Sequence, residues 1–429
     1  MKLIIPSLTL YILSLSFPAF SQTKALVLSG GRAHIGNGKV IESSAIGIQN
    51  GKISFVADSK TIRLNPDEAD IVNISGKDVY PGFIGTCNTL GINEVDAIRA
   101  TNDMQEVGGY TPHVRSLIAF NPESKIIPTV RSNGILTVQS VPRGGVISGT
   151  SSIFMLDGWN WEDAVYKTDD GIHVNFPSWF SRTGWWAEPS GVDKNKEYDN
   201  QLRDLRKFFA DAKAYSAVNS HPEKNIRFEA MAGLFSGTKS LYINADYVKE
   251  IVEAVQLATD FGVKHITIIG GRDAGKVTDL LKAKNVSVIL NRLHELPDKA
   301  DSDVDQSYKQ ATALQNAGIL YCLNYAGGME AMGLRNLPFV AGTAAAYGIS
   351  KEEALASITL NAAKILGIDA TLGSLESGKD ATLFVSSGDA LDMMTNNVEK
   401  AWIKGKAIDL NNSQKELYEK YSEKMKIKN

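Results

Sequence analysis

The run FIGTCNTLG ends with polar side chains at Cys87 and Thr89, which an extended strand turns to one face. A thiol at such a strand end can serve as a nucleophile or, once deprotonated, as a metal ligand. A nucleophilic cysteine needs a basic partner, and the neighbouring sequence offers none. The six histidines, His34, His113, His173, His221, His265 and His294, include no pair at the i, i+2 or i, i+4 spacing of metal ligands. Each reads as an ordinary hydrogen-bonded or surface histidine. His294 is expected nearest to a site, and His173 falls in an aromatic loop. The glycines of SGGRAHIGNGK open no helix, so they read as turns and not as a dinucleotide fingerprint. Residues 157–191 hold Trp159, Trp161, Trp179, Trp185 and Trp186, all but one of the tryptophans. That segment reads as an insertion packed over the core, or as a lid or partner surface.

The elements that must position these residues follow from hydrophobic alternation. Residues 24–80 are β in texture, with SAIGIQNGKISFVAD forming a hairpin about Asn50-Gly51. DATLFVSS and VEKAWIKGKAI repeat that texture near the C-terminus. Between these ends, short apolar strands alternate with helices, predicted over about 197–217, 246–261, 273–284 and 305–317. A further helix opens at Ser350 with Glu353 three residues on, a capping box. About eight such strands predict a (β/α)8 TIM-like barrel over 81–366. A doubly wound open sheet is the competitor, and its Gly-rich first turn is missing. Residues 22–80 and 367–411 are expected to form one small discontinuous β-sandwich domain. A charged helix follows over 412–429, with Leu417, Tyr421 and Met425 as a stripe packed on that domain.

In a barrel the C-terminal strand ends form the site. They bring forward Cys87, Asn88 and Thr89; Val141 to Arg143; Asp157; Asn244; Gly270 and Gly271; Asn291 and Arg292; and Asn324, Tyr325 and Ala326. Cys322 lies on the last strand, lower than Cys87 by about 13 Å at ~3.3 Å per residue. A disulfide tolerates ~7 Å between Cα atoms, so two free buried thiols are expected.

The chain has 429 residues and a net charge of −3, with no basic block, which argues against nucleic acid as a partner. Met1-Lys2, the apolar run LIIPSLTLYILSLSF and the small residues Ala19 and Ser21 predict a signal peptide over 1–21. The protein is therefore expected to be exported, periplasmic or extracellular, with no membrane span after cleavage. The alternative for this run is a membrane anchor.

Three stretches, GKDVYPGFIGTCNTLG, ISKEEALASITLNAAKILGID and LGSLESGKDATLF, together resemble the amidohydrolase superfamily, in particular its imidazolonepropionase-like metal-dependent hydrolases. The resemblance implies a barrel carrying a discontinuous β-sandwich, with hydrolysis of carbon–nitrogen bonds other than peptide bonds. It also implies one or two divalent metals, commonly zinc, held by His-x-His on strand 1 and single histidines on two later strands. An Asp on the last strand serves as base. Carried over by position, Cys87 and Thr89 stand at the His-x-His, Asn244 at the next histidine, Gly270 or Gly271 at the one after, and Ala326 at the Asp. Asn88, Asn291, Asn324 and Tyr325 would line the pocket. The expectation is a degenerate, metal-free member with no cofactor, binding a small molecule or an intact amidohydrolase paralogue. The alternative is an active carbon–nitrogen hydrolase with a rearranged site, in which zinc is the cofactor and Cys87 its thiolate ligand or the nucleophile. A structural envelope role is a third reading.

Overall fold

The computed structural model describes residues 24–183, 191–218, 220–297, 302–327 and 329–425. The expected signal peptide, 1–21, and Trp185 and Trp186 lie outside the described residues.

Two sheets form the small domain. One runs in the order Lys52–Asp58, Ser44–Gln49, Ala25–Ser29, Ala69–Asn73. In the other, Asp78–Pro81 pairs antiparallel with Leu383–Ser386, so the two chain ends share one sheet. Leu28, Ile46, Ile53, Leu383 and Trp402 are buried together between the sheets. His34 ties this domain to the barrel. Its Nδ1 lies 2.7 Å from Glu352 Oε1 on the capped helix, its Nε2 lies 3.5 Å from Asp78 Oδ1, and its ring stacks on Tyr80 at 4.5 Å. The capping box forms as expected, with Ser350 and Glu353 each accepting the other's backbone N–H.

Eight strands make the barrel wall: β1 (Phe83–Asn88), β2 (Ile135–Ser140), β3 (Ile147–Met155), β4 (Val165–Asn175), β5 (Ser240–Ala245), β6 (Ile266–Gly270), β7 (Ser287–Leu290) and β8 (Tyr321–Leu323). They stand side by side in chain order, which is the expected TIM-like barrel. At the seam between β8 and β1, Thr86 Oγ1 lies 3.7 Å from Cys322 Sγ, while the Ile84 N–H donates to Ile358 O at 2.9 Å, on the segment after the helix Lys351–Ser357.

One strand departs from the all-parallel expectation. β3 pairs antiparallel with both β2 and β4. Its flanking connections, residues 141–146 and 156–164, are too short for a crossover, since a parallel return takes a dozen or more residues. The aromatic segment is thereby divided. VYKTDDGIHVN is not a loop but strand β4, so His173 sits in the wall. Because β3 runs backwards, its C-terminal end lies on the opposite face from the other strand ends. Asp157 is therefore removed from the mouth and pairs with Arg131 at 3.2 Å and Lys406 at 3.0 Å. Trp159 is exposed there. Trp179, beyond β4, remains on the mouth side, with Lys249 Nζ over its ring at 3.1 Å.

The C-terminal helix, Ser413–Met425, also differs from expectation. Gln414 Oε1 accepts from Thr129 Oγ1 at 2.8 Å, on a barrel helix, while Leu417, Tyr421 and Met425 are exposed and do not pack on the small domain. No helix among the described residues is long and apolar enough to cross a membrane.

Candidate functional site

Cys87 sits at a β-bulge. The pairing of β1 with β2 shifts register between Gly85 and Asn88, and Cys87 takes the left-handed backbone (φ 46°). A side chain other than glycine is strained there, and such strain collects at functional sites. With its ladder bond lost to the bulge, the Cys87 amide donates to Gln139 Oε1 at 3.1 Å, and the thiol approaches the same oxygen at 3.5 Å.

From Gln139 a polar network runs through the barrel interior. Gln139 Nε2 donates to Asp170 Oδ2 at 2.7 Å, Tyr242 OH donates to the same oxygen at 3.0 Å, and Ser151 Oγ donates to Asp170 Oδ1 at 2.7 Å. With Asp170 ionised, the Ser151 proton is committed, so His173 Nε2, 2.9 Å from Ser151 Oγ, is then the donor of that pair. His173 is then the Nε2–H tautomer, its ring stacked on Tyr242 at 4.6 Å and its Nδ1 lone pair without a partner among the described residues. Burial holds His173 well below its ordinary range, and Arg143 adds to this, so the ring is neutral. Burial also pushes the Asp170 carboxyl up, against hydrogen bonds from Ser151, Gln139 and Tyr242 that pull it down.

Above this network the mouth is crossed by Arg143. Its guanidinium donates to Cys87 O at 2.7 Å and to Glu330 Oε1 at 2.6 Å. Burial raises the Cys87 thiol well above its ordinary range, and the Arg143 charge opposes this only in part. Cys87 is therefore held as the thiol, without a base. Iodoacetamide at neutral pH is expected to label native Cys87 ~100-fold or more slowly than the unfolded chain. Rapid stoichiometric labelling of the native protein would restore the nucleophile reading. Cys322 is likewise free and buried, its thiol pushed up by burial to about 12.

The positions singled out in the sequence divide by what they touch. Asn88 is structural: its Nδ2 donates to Glu330 O at 3.0 Å and its Oδ1 accepts from Leu90 N. Asn244 donates to Asn175 Oδ1 at 2.9 Å. Gly270 (φ 88°) must lack a side chain, because a Cβ there would lie 2.5 Å from Asp246 Oδ1. Tyr325 packs against Gly333, with Arg292 5.9 Å from its ring centre. Ala326 is the third residue past β8 and brings no donor atom. Thr89, Asn291 and Asn324 form a set. Each is the first residue past its strand, β1, β7 and β8 respectively; β7 pairs with β8, and β8 meets β1 across the seam through Thr86 and Cys322. Leu290 pairs with Leu323, so Asn291 and Asn324 stand level. Thr89 Oγ1, Asn291 Oδ1 and Asn324 Nδ2 are buried atoms without a hydrogen-bond partner among the described residues.

Sequence reasoning missed Gln139, Ser151, Asp170, His173 and Tyr242. It also placed His294 nearest the site, whereas His294 Nε2 bonds Thr343 Oγ1 on an outer helix at 2.7 Å.

Residues 87, 89, 244, 270 and 326 do not fit a divalent metal. They offer one thiol held protonated, a hydroxyl, an amide already bonded, and two positions with no ligand atom. Three nitrogen, sulfur or carboxylate donors are the usual minimum. Among the described residues, no three His, Cys, Asp or Glu side chains gather as a metal-binding group.

The sequence model of the amidohydrolase family matches residues 304–408, from the helix before β8 to the return into the small domain. No curated protein sequence matches the chain. Among solved structures, an amidohydrolase from Thermotoga maritima is similar over 90% of this chain and 99% of its own, at 24% identity and a TM-score of 0.77. A putative prolidase from Bifidobacterium longum covers 93% and 99% at 17% identity, with a TM-score of 0.52. An adenosine deaminase from Xanthomonas campestris with bound zinc covers 93% and 98% at 15%, also with a TM-score of 0.52. At these identities the likeness establishes the fold.

Proposed function

We propose that this chain, an amidohydrolase-superfamily fold, is an exported, metal-free binding protein that takes a small polar molecule at the mouth of its barrel. Its N-terminal residues, with their short basic start, apolar run and small residues before a cut, support export. The observation that carries the binding reading is the set of polar atoms on three strand ends, Thr89 Oγ1, Asn324 Nδ2 and Asn291 Oδ1, that find no partner among the described residues. A buried polar atom without a partner is worth ~1–3 kcal/mol against folding. A ligand offering both a donor and an acceptor relieves that penalty. The guanidinium of Arg143, paired with Glu330 and bonded to Cys87 O, brings positive charge to the strand-1 end. The five positions that would hold the family's metal and base, 87, 89, 244, 270 and 326, offer neither a metal-binding donor set nor a carboxylate base.

The test has two readouts. Elemental analysis of the purified protein is expected to find well below one equivalent of zinc or other divalent metal, and chelator is expected to leave the melting temperature unchanged. Thr89→Val keeps the shape and removes the unpartnered hydroxyl, so it is expected to stabilise the ligand-free protein by about 0.5–1.5 kcal/mol. One equivalent of metal, with amide hydrolysis abolished by chelator, would overturn the reading. So would destabilisation by Thr89→Val, since it would show that the hydroxyl supports the fold.

A further inference from the structure

The opposite face of the barrel carries a second site. A cavity of about 350 Å³ opens against the starts of β5, β6, β7 and β8. Three helices end around it, each on a left-handed glycine: Ile226–Ser236 at Gly237, Gln306–Ala317 at Gly318, and Leu360–Leu366 at Gly367. A lysine ammonium stands over each glycine, where a side chain would otherwise be. Lys264 Nζ lies 3.4 Å, Lys282 Nζ 3.9 Å and Lys167 Nζ 3.0 Å from the place a Cβ would occupy. A fourth lysine, Lys364, and His265 complete the rim, and among the described residues no Asp or Glu lines the cavity.

Neutralising helix ends does not account for all of this charge. Each helix C-terminus carries roughly −0.5 of a charge, so three ends leave four ammonium groups with an excess of roughly 2.5 positive charges. Lys282 donates to Ala317 O and Lys167 to Leu366 O, so these two serve helix ends directly. Lys264 and Lys364 have no hydrogen-bond or ion-pair partner among the described residues. On the cavity wall the hydroxyls of Thr267 and Ser287 bond each other at 2.8 Å, adding neutral polar contacts. At ~30 Å³ per water the volume is far more than one simple ion fills.

We propose that this cavity binds a small polyanion carrying at least two phosphate or carboxylate groups. The cations stand on four separate segments around the rim, so a ligand with spaced anionic groups engages them together. The site lies on the face away from Thr89 and Asn324, and it is independent of the proposed function of the mouth.

Calorimetric titration of the purified chain with pyrophosphate, and with citrate in a separate arm, tests it. Saturable binding of one ligand per chain, weakened by added salt, is expected from at least one of them, and the tighter of the two identifies the anion chemistry. Lys264→Met with Lys364→Met breaks no hydrogen bond or ion pair, so the melting temperature should hold. The affinity should fall ~10-fold or more, the worth of two partly exposed charge contacts. Lys39→Met with Lys60→Met, outside the cavity, should leave binding unchanged. The proposal is overturned if neither anion binds saturably, or if the two double variants weaken binding equally.

Discussion

Asp170→Ala is expected to destabilise the protein by about 3–5 kcal/mol, because it leaves the buried donors of Ser151, Gln139 and Tyr242 without their acceptor. Urea unfolding at neutral pH measures this directly. Asp170→Asn should fall between, since an amide offers one acceptor and turns a second donor toward donors. The two variants also separate shape from charge. Burial raises the Asp170 carboxyl in the folded protein, despite the hydrogen bonds to it. The folded state then holds its proton to a higher pH than the unfolded chain does. Asp170 therefore contributes stability that is full below the ordinary Asp range and lost as pH rises through the raised folded value. Asp170→Asn cannot titrate and should lose that slope. Loss of under about 1 kcal/mol in Asp170→Ala would show that the network is not a structural unit.

His34→Gln is the second large effect, and its sign depends on pH. Burial opposes the imidazolium, but hydrogen bonds and charge from Asp78 and Glu352 outweigh it and raise His34 from 6.5 to about 9. The group's stabilisation is fully present below the unfolded value and is lost as pH rises through about 9. At about pH 6 the variant should be less stable than the parent by about 2–3 kcal/mol. The gap should close above the folded value. A gap that stays constant with pH would assign the loss to packing on Tyr80 instead of charge. Because Asp78 and His34 are on small-domain strands and Glu352 is on a barrel helix, the same titration should loosen the junction between the domains.

Much of the architecture was legible in local patterns. Alternation about Asn50-Gly51 marked the hairpin, and Ser350 with Glu353 marked the start of a helix, because both depend on residues close in sequence. The antiparallel turn of β3 was legible in principle too, from the shortness of 141–146 and 156–164, but a repeating strand–helix rhythm obscured it. The interior network was not legible. Gln139, Ser151, Asp170, His173 and Tyr242 share no spacing, and Asp169-Asp170-Gly171 has the texture of a turn. What makes these residues tolerable in a strand is the acceptors and donors they find across the barrel, and those contacts exist only after folding. The apolar stripe of the last helix misled for the opposite reason: its spacing describes a helix but does not say which neighbour covers it.

The joining of both chain ends in one sheet bears on how the molecule can be made. Strand Asp78–Pro81 meets its partner Leu383–Ser386 only when some three hundred further residues have been produced, as the two ranges show. Until then one of its edges presents unpaired amides and carbonyls, a template for pairing with other chains. Synthesis from the N-terminus lets the barrel form before the sheet can be completed, so the order of assembly is inside first and outer seal last. A chain cut short before residue 383 would retain the strands of its wall and still carry that open edge, exposed to aggregation for as long as it persists.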